Sequence, residues 1–175
     1  MSNIKTQLLR KIKNNSAIIG VVGLGYVGLP LSLRFSEAGF KVVGFDISND
    51  VVSTLAKGFS HIKHIDKSDV RSANNKGFIQ TSDFSQVSNV DVIIICVPTP
   101  LNQYREPDLS FVSNTINNVL PYLKNGHLIS LESTTYPGTT EEVLLPKIEE
   151  EGFKVGKDIF LVYSPEREDP GNINF

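Results

Sequence analysis

No part of this chain leaves fewer choices than residues 17–33, AIIGVVGLGYVGLPLSL. An apolar run from Ala17 to Val22 ends at the spacing Gly23-x-Gly25-x-x-Gly28, and helical patterning follows to about Ala38. A short apolar run broken by glycine reads as a buried strand. A strand that turns at once into a helix needs a residue free to adopt positive φ, which Gly23 supplies. Gly25 has no Cβ, so a pyrophosphate can approach the backbone, and Gly28 lets the helix lie against the strand. The helix then turns its positive end and its unpaired N–H groups toward the phosphates. A second apolar run, Lys41 to Phe45, ends at Asp46, 18 positions beyond Gly28. A carboxylate there accepts hydrogen bonds from an adenosine ribose and repels a 2′-phosphate. The expected cofactor is NAD rather than NADP, since no Arg or Lys follows within ten positions to reverse that choice.

Composition removes several other classes. The 17 basic and 19 acidic residues are interspersed and leave a net charge of −2. With no basic stripe, neither nucleic acid nor an anionic membrane is an expected partner. Residues 17–33 are apolar enough to suggest a membrane span, but they contain four glycines and a proline and run straight into Arg34 and Glu37. A signal peptide is not expected either, because polar-rich sequence precedes the run and no small-residue cleavage site follows it. The single cysteine, Cys96, rules out an internal disulfide framework and fits a reducing cytoplasm. A length of 175 residues suits one domain.

Taken in order, residues 1–15 form an amphipathic helix through Ile4, Leu8, Leu9 and Ile12, expected to pack on its own domain, residues 16–175. Beyond Asp46, helices are expected over Asn49 to Lys57 and Asp66 to Asn75, and a strand over Phe78 to Thr81. Val90 to Val97 reads as a central strand buried on both faces, with Cys96 inside it as an inert packing thiol. Asp108 is placed to cap a helix running through Leu123, and His127 to Leu131 is a further strand. Thr139 and Glu142 form a capping box for a helix to about Glu151, and Ile159 to Tyr163 is the last strand. His61 and His64 make an HxxH pair, read as structural or surface histidines because no further ligands complete a metal sphere.

This alternation predicts an α/β, Rossmann-like, doubly wound parallel sheet with helices on both faces. Ligands of such sheets gather beyond the carboxyl ends of the strands. Polar clusters sit there after five strands: residues 23–28, Asp46, Thr99, residues 133–135 and residues 164–169. They outline a cofactor-and-substrate cleft.

Four motifs together, GLGYVGLP (23–30), VPTP (97–100), ESTTYPG (132–138) and YSPEREDPG (163–171), resemble the UDP-glucose/GDP-mannose dehydrogenase family. The resemblance is nearest to the UDP-N-acetylglucosamine 6-dehydrogenase branch, which serves bacterial O-antigen and capsule sugars. It implies an NAD-dependent, two-step oxidation of a UDP-sugar at C6, in the cytoplasm, by an enzyme that is a homo-oligomer when full-length. It also implies cofactor contacts from Gly23, Leu24, Gly25, Tyr26, Val27, Gly28, Asp46, Val97, Pro98, Thr99, Ser133 and Thr134. Tyr26 and Val27 would lie over the pyrophosphate. Thr134 would order water near the reacting centre, and Glu166 would serve the hydrolytic step, with Glu166, Arg167 and Glu168 beside the sugar. Where UDP-glucose enzymes have Pro-Glu-Phe-Leu, this chain has Pro165-Glu-Arg-Glu168, the more polar form that goes with acetamido sugars. The family's nucleophilic cysteine, central helix and sugar-binding domain lie in a second half not present among these residues, and Cys96 does not match that cysteine.

Overall fold

The structure is a computed structural model, described here for residues 3–105 and 107–165. Helix α1 (Ile4–Lys13) precedes strand β1 (Ile18–Val22), helix α2 (Gly28–Glu37) and strand β2 (Lys41–Phe45). Helices α3 (Asn49–Ala56) and α4 (Lys67–Asn75) lead to β3 (Ile79–Thr81) and then β4 (Val92–Ile95). Helix α5 (Ser110–Val119), β5 (Leu128–Leu131), α6 (Leu145–Glu150) and β6 (Phe160–Tyr163) complete the order.

The six strands form one parallel sheet in the order β3-β2-β1-β4-β5-β6. Side-chain alternation along β4 divides the core. Val92 and Ile94 join a layer with Leu8, Leu29, Leu55 and Val70, supplied by α1 to α4. Ile93 and Ile95 join Val112, Ile116, Leu144 and Ile148, from α5, α6 and the turn just before α6, on the other face. All four β4 residues are buried, as a strand covered on both faces must be. Chain order reverses between β1 and β4, so the sheet opens its crevice there.

Helix α1 closes the amino-terminal edge. Leu8 is buried in the core, a burial that contributes about 2 kcal/mol. Lys11 spans to Asp91 at 2.6 Å, while the other oxygen of that carboxylate accepts from the Ile18 N–H at 3.0 Å. The helix thus packs on its own domain, and among the described residues no helix is long and apolar enough to cross a membrane.

Several local expectations need correction. The helix expected through Leu123 stops as α-helix at Val119 and tightens into a 3₁₀ turn, Leu120–Tyr122, where Pro121 cannot continue the ladder. Residues Phe84–Asn89, with no periodic pattern to announce them, form another 3₁₀ turn between β3 and β4. The capping box is absent. Thr139 instead donates to the Tyr136 carbonyl at 2.8 Å, and Glu142 accepts from the Tyr136 hydroxyl at 2.8 Å. The helix begins as a π turn, Thr140–Leu144, because Pro146 has no N–H for the Glu142 carbonyl four residues back.

His127 is fully buried at the start of β5. Its Nδ1 accepts from the Lys124 N–H at 3.2 Å, which leaves Nε2–H to donate to the Val90 carbonyl at 3.0 Å. Burial, and then the nearby Lys124 charge, hold its pKa down from 6.5 to about 4. Between those values the unfolded chain binds a proton that the folded chain excludes, so stability falls as pH falls through this window. The full linkage is about 3 kcal/mol, of which about 2 kcal/mol is expected between pH 7 and 5. Urea denaturation of the parent and His127→Gln at both pH values checks this, and the variant should lose that part of the slope.

Candidate active site

At the carboxyl edge of the sheet lies a cleft of about 1000 Å³ with largely apolar walls. Its floor is the glycine turn. Gly23 takes φ +90°, and a Cβ there would stand 2.5 Å from the Cys96 carbonyl oxygen. A Cβ on Gly28 would stand 1.8 Å from the Gly23 carbonyl oxygen and 3.2 Å from the Cys96 Cβ. These two glycines are required by packing. Gly25 differs: a Cβ there would meet no protein atom within 4 Å, so its freedom faces open cleft. Helix α2 begins at Gly28 with no side-chain cap and no acidic residue in its first turn. Its positive end is left for an external anion.

Asp46, just past β2, accepts from the Leu24 N–H at 2.9 Å and, with its other oxygen, from the Ser48 N–H at 2.9 Å. The carboxylate therefore fixes the glycine turn to the end of β2 while still lining the cleft. Leu24 itself does not line the cleft. Its N–H is spent on Asp46 and its side chain is fully buried in the core, so it supports the turn from behind. Gly28 likewise lies beneath the turn rather than on the cleft wall.

The loops after β4 and β5 are stitched together. The Ser133 hydroxyl donates to the Val97 carbonyl at 2.7 Å and accepts from the Val97 N–H at 3.0 Å. The Thr99 hydroxyl donates to the Thr134 carbonyl at 2.6 Å. Both hydroxyl protons are thus committed to backbone, and what they position is Thr134, whose side chain is exposed on the cleft. Gly23, Gly25, Tyr26, Val27, Asp46, Val97, Pro98, Thr99, Ser133 and Thr134 all come together on this one cleft. Glu166, Arg167 and Glu168 lie outside the described residues.

The sequence reading missed the opposite wall. Phe111, Asn114, Thr115 and Asn118 of α5 face the cleft, a spacing of three or four that a search for a polar helical face after β4 would have found. Phe84, on the unforeseen 3₁₀ turn, carried no such signal. Glu132 also lines the cleft and accepts from the Ser130 hydroxyl at 2.6 Å. Cys96 borders the floor, one residue past β4 rather than inside the strand; it is buried and in no disulfide.

Residues 17–175 match the NAD binding domain of the UDP-glucose/GDP-mannose dehydrogenase family. The chain belongs to that family. It is 37% identical over 155 residues to the UDP-N-acetyl-D-glucosamine 6-dehydrogenase of Pseudomonas aeruginosa, covering 88% of this chain and 36% of the relative. It is 36% identical over 158 residues to the UDP-N-acetyl-D-mannosamine dehydrogenase of Pyrococcus horikoshii, covering 89% of this chain and 37% of that one. Among solved structures, the UDP-N-acetyl-mannosamine dehydrogenase Cap5O of Staphylococcus aureus superposes with a TM-score of 0.82 at 38% identity, over 89% of this chain and 38% of its own. The chain spans little more than a third of the length of the curated relatives it matches. It is an NAD-binding domain of a nucleotide-sugar dehydrogenase family, and its residues fit that cofactor: an open approach at Gly25, an uncapped helix start and a carboxylate after β2.

The two kinds of glycine separate in mutation. Gly25→Val should keep stability within about 0.5 kcal/mol of the parent, as substitutions into open space do, yet lose NAD binding. Gly28→Ala should lose about 1–3 kcal/mol or more through overpacking. Thermal melts with and without NAD distinguish the two outcomes.

Proposed function

We infer that this chain is the cofactor half of a nucleotide-sugar 6-dehydrogenase acting on a UDP-N-acetylhexosamine, UDP-N-acetylglucosamine first, for surface polysaccharide synthesis in the cytoplasm. The observation that carries this reading is one cleft with Asp46 at one strand end and Thr134 held by the Ser133 and Thr99 stitches at another. The relatives' names support the acetamido-sugar class, and the polar Arg167-Glu168 pair in the sequence agrees with it.

In this reading Asp46 accepts from the adenosine ribose while its Leu24 and Ser48 bonds keep it aimed. The glycine turn and the start of α2 hold the diphosphate with backbone N–H groups. Bound NAD supplies the hydride acceptor. Thr134 holds a water at the reacting end, and Glu166 moves a proton in the hydrolytic step. Turning a C6 alcohol into a carboxylate removes four electrons, two hydrides in all, and adds one water, so each sugar requires two NAD. The nucleophile that retains the aldehyde between the two oxidations belongs to the second half of the full-length protein.

Two measurements test the reading. Calorimetry on this chain should give NAD an affinity about tenfold or more above NADP, because Asp46 would face the added phosphate at close range. The full-length protein should produce two NADH per UDP-N-acetylglucosamine and turn over UDP-glucose poorly, whereas the 175-residue chain alone should give no turnover. Equal NAD and NADP affinity would remove Asp46 from the ribose. Sustained turnover by the short chain would refute the division into halves.

A further inference from the structure

One contact at the mouth of the cleft has no part in the roles assigned above. Tyr26 stands on the glycine turn, lines the cleft and is 59% exposed. The imidazole of His64 lies 6.0 Å from its ring, centroid to centroid, with the planes 30° apart. Ring pairs at about 4.5–7 Å in tilted or offset arrangements attract beyond simple burial. The partners come from distant parts of the sequence, the glycine turn and the segment between α3 and α4, so their meeting is a tertiary feature.

His64 is presented from a fixed turn. Ile62, two residues before it, is 2% exposed in the core. The Ser60 hydroxyl accepts from the Ile62 N–H and donates to the Ile62 carbonyl, both at 3.0 Å. The Ile65 N–H donates to the Ile62 carbonyl at 3.2 Å, and Asp66 caps α4 by accepting from the Ser68 N–H at 2.7 Å. The backbone that carries His64 is therefore anchored on both sides, while its imidazole, like the Tyr26 ring opposite it, is exposed.

The charge pattern of the cleft makes that ring matter. Of the described residues lining it, Asp46 and Glu132 carry charge, both negative, and no Lys, Arg or His is among them. Among the described residues the grip on a diphosphate there falls to backbone N–H groups. Such hydrogen bonds strengthen where water is kept away. A ring lying over the turn supplies that shielding only if it stays there.

We propose that His64 is a positioning residue for the cofactor: it holds the Tyr26 ring across the glycine turn so that the ring covers the diphosphate of NAD. The proposal rests on the NAD reading of the cleft. His64→Ala and His64→Phe, titrated calorimetrically with NAD and with adenosine at pH 8, test it. The alanine variant should bind NAD about 3- to 10-fold more weakly, the range for losing one aromatic pair. Its adenosine affinity should be unchanged, and phenylalanine should restore most of the NAD affinity. In the parent, the His64 ring C–H signals in NMR should move on adding NAD or ADP-ribose and stay in place with adenosine. Unchanged NAD affinity in His64→Ala, equal losses for NAD and adenosine, or no rescue by phenylalanine would each overturn it. A parent chain that binds no NAD would overturn the cleft reading itself, a result separate from all of these.

Discussion

The contact between Gly28 and the Gly23 carbonyl is the constraint on which the rest of the structure depends. It brings the first turn of α2 against the end of β1 with no room for a methyl group, and the Cys96 backbone and Cβ press on the same spot from just past β4. Three chain segments meet at one point where neither Gly23 nor Gly28 has room for a side chain. Only that closeness lets the helix start open onto the crevice between β1 and β4. Asp46 then ties the turn to the neighbouring strand through the Leu24 N–H, so the geometry is fixed before any ligand arrives. Gly25, the one glycine of the three with free space around it, is the point where this packed unit meets the outside.

A second set of bonds does the same for the far side of the cleft. Ser133 and Thr99 look like ligand-binding hydroxyls in a sequence because they follow strand ends. In the fold their protons go to the neighbouring loop's backbone, which joins the β4 and β5 exits into one piece. This side of the NAD-binding domain thus owes its shape to polar groups facing inward. Thr134, flanked by the stitches, is left with its side chain toward the cleft.

How much was legible beforehand follows from the range of each interaction. The six strands, the glycine turn and the place of Asp46 at a strand end could be read because each is written within a few residues: an apolar run, a glycine spacing, an acid at a run's end. The parallel sheet followed from strands alternating with helices. The 3₁₀ turn at Phe84 and the π turn at Thr140 could not, since neither has a period of its own. The capping box failed because Tyr136 competes for Glu142, a bond that depends on the loop's path. The α5 wall and the Tyr26–His64 pair are tertiary, and only the position of the helix brings the one to the cleft and only the anchored turn brings His64 to Tyr26.

The boundary by which this chain is assigned to its family is not the boundary of its folded body. The match begins at residue 17, yet α1, wholly before it, contributes Leu8 to the core and Lys11 to the carboxylate that also holds the first strand. The N–H groups of Ser16 and Ala17 both donate to the Lys11 carbonyl, so the strand's entry is bonded to the helix that precedes it. Excising the chain at the edge of the family match would therefore remove a structural partner of β1 and uncap the end of the sheet opposite the cleft. The unit of recognition is smaller than the unit of folding.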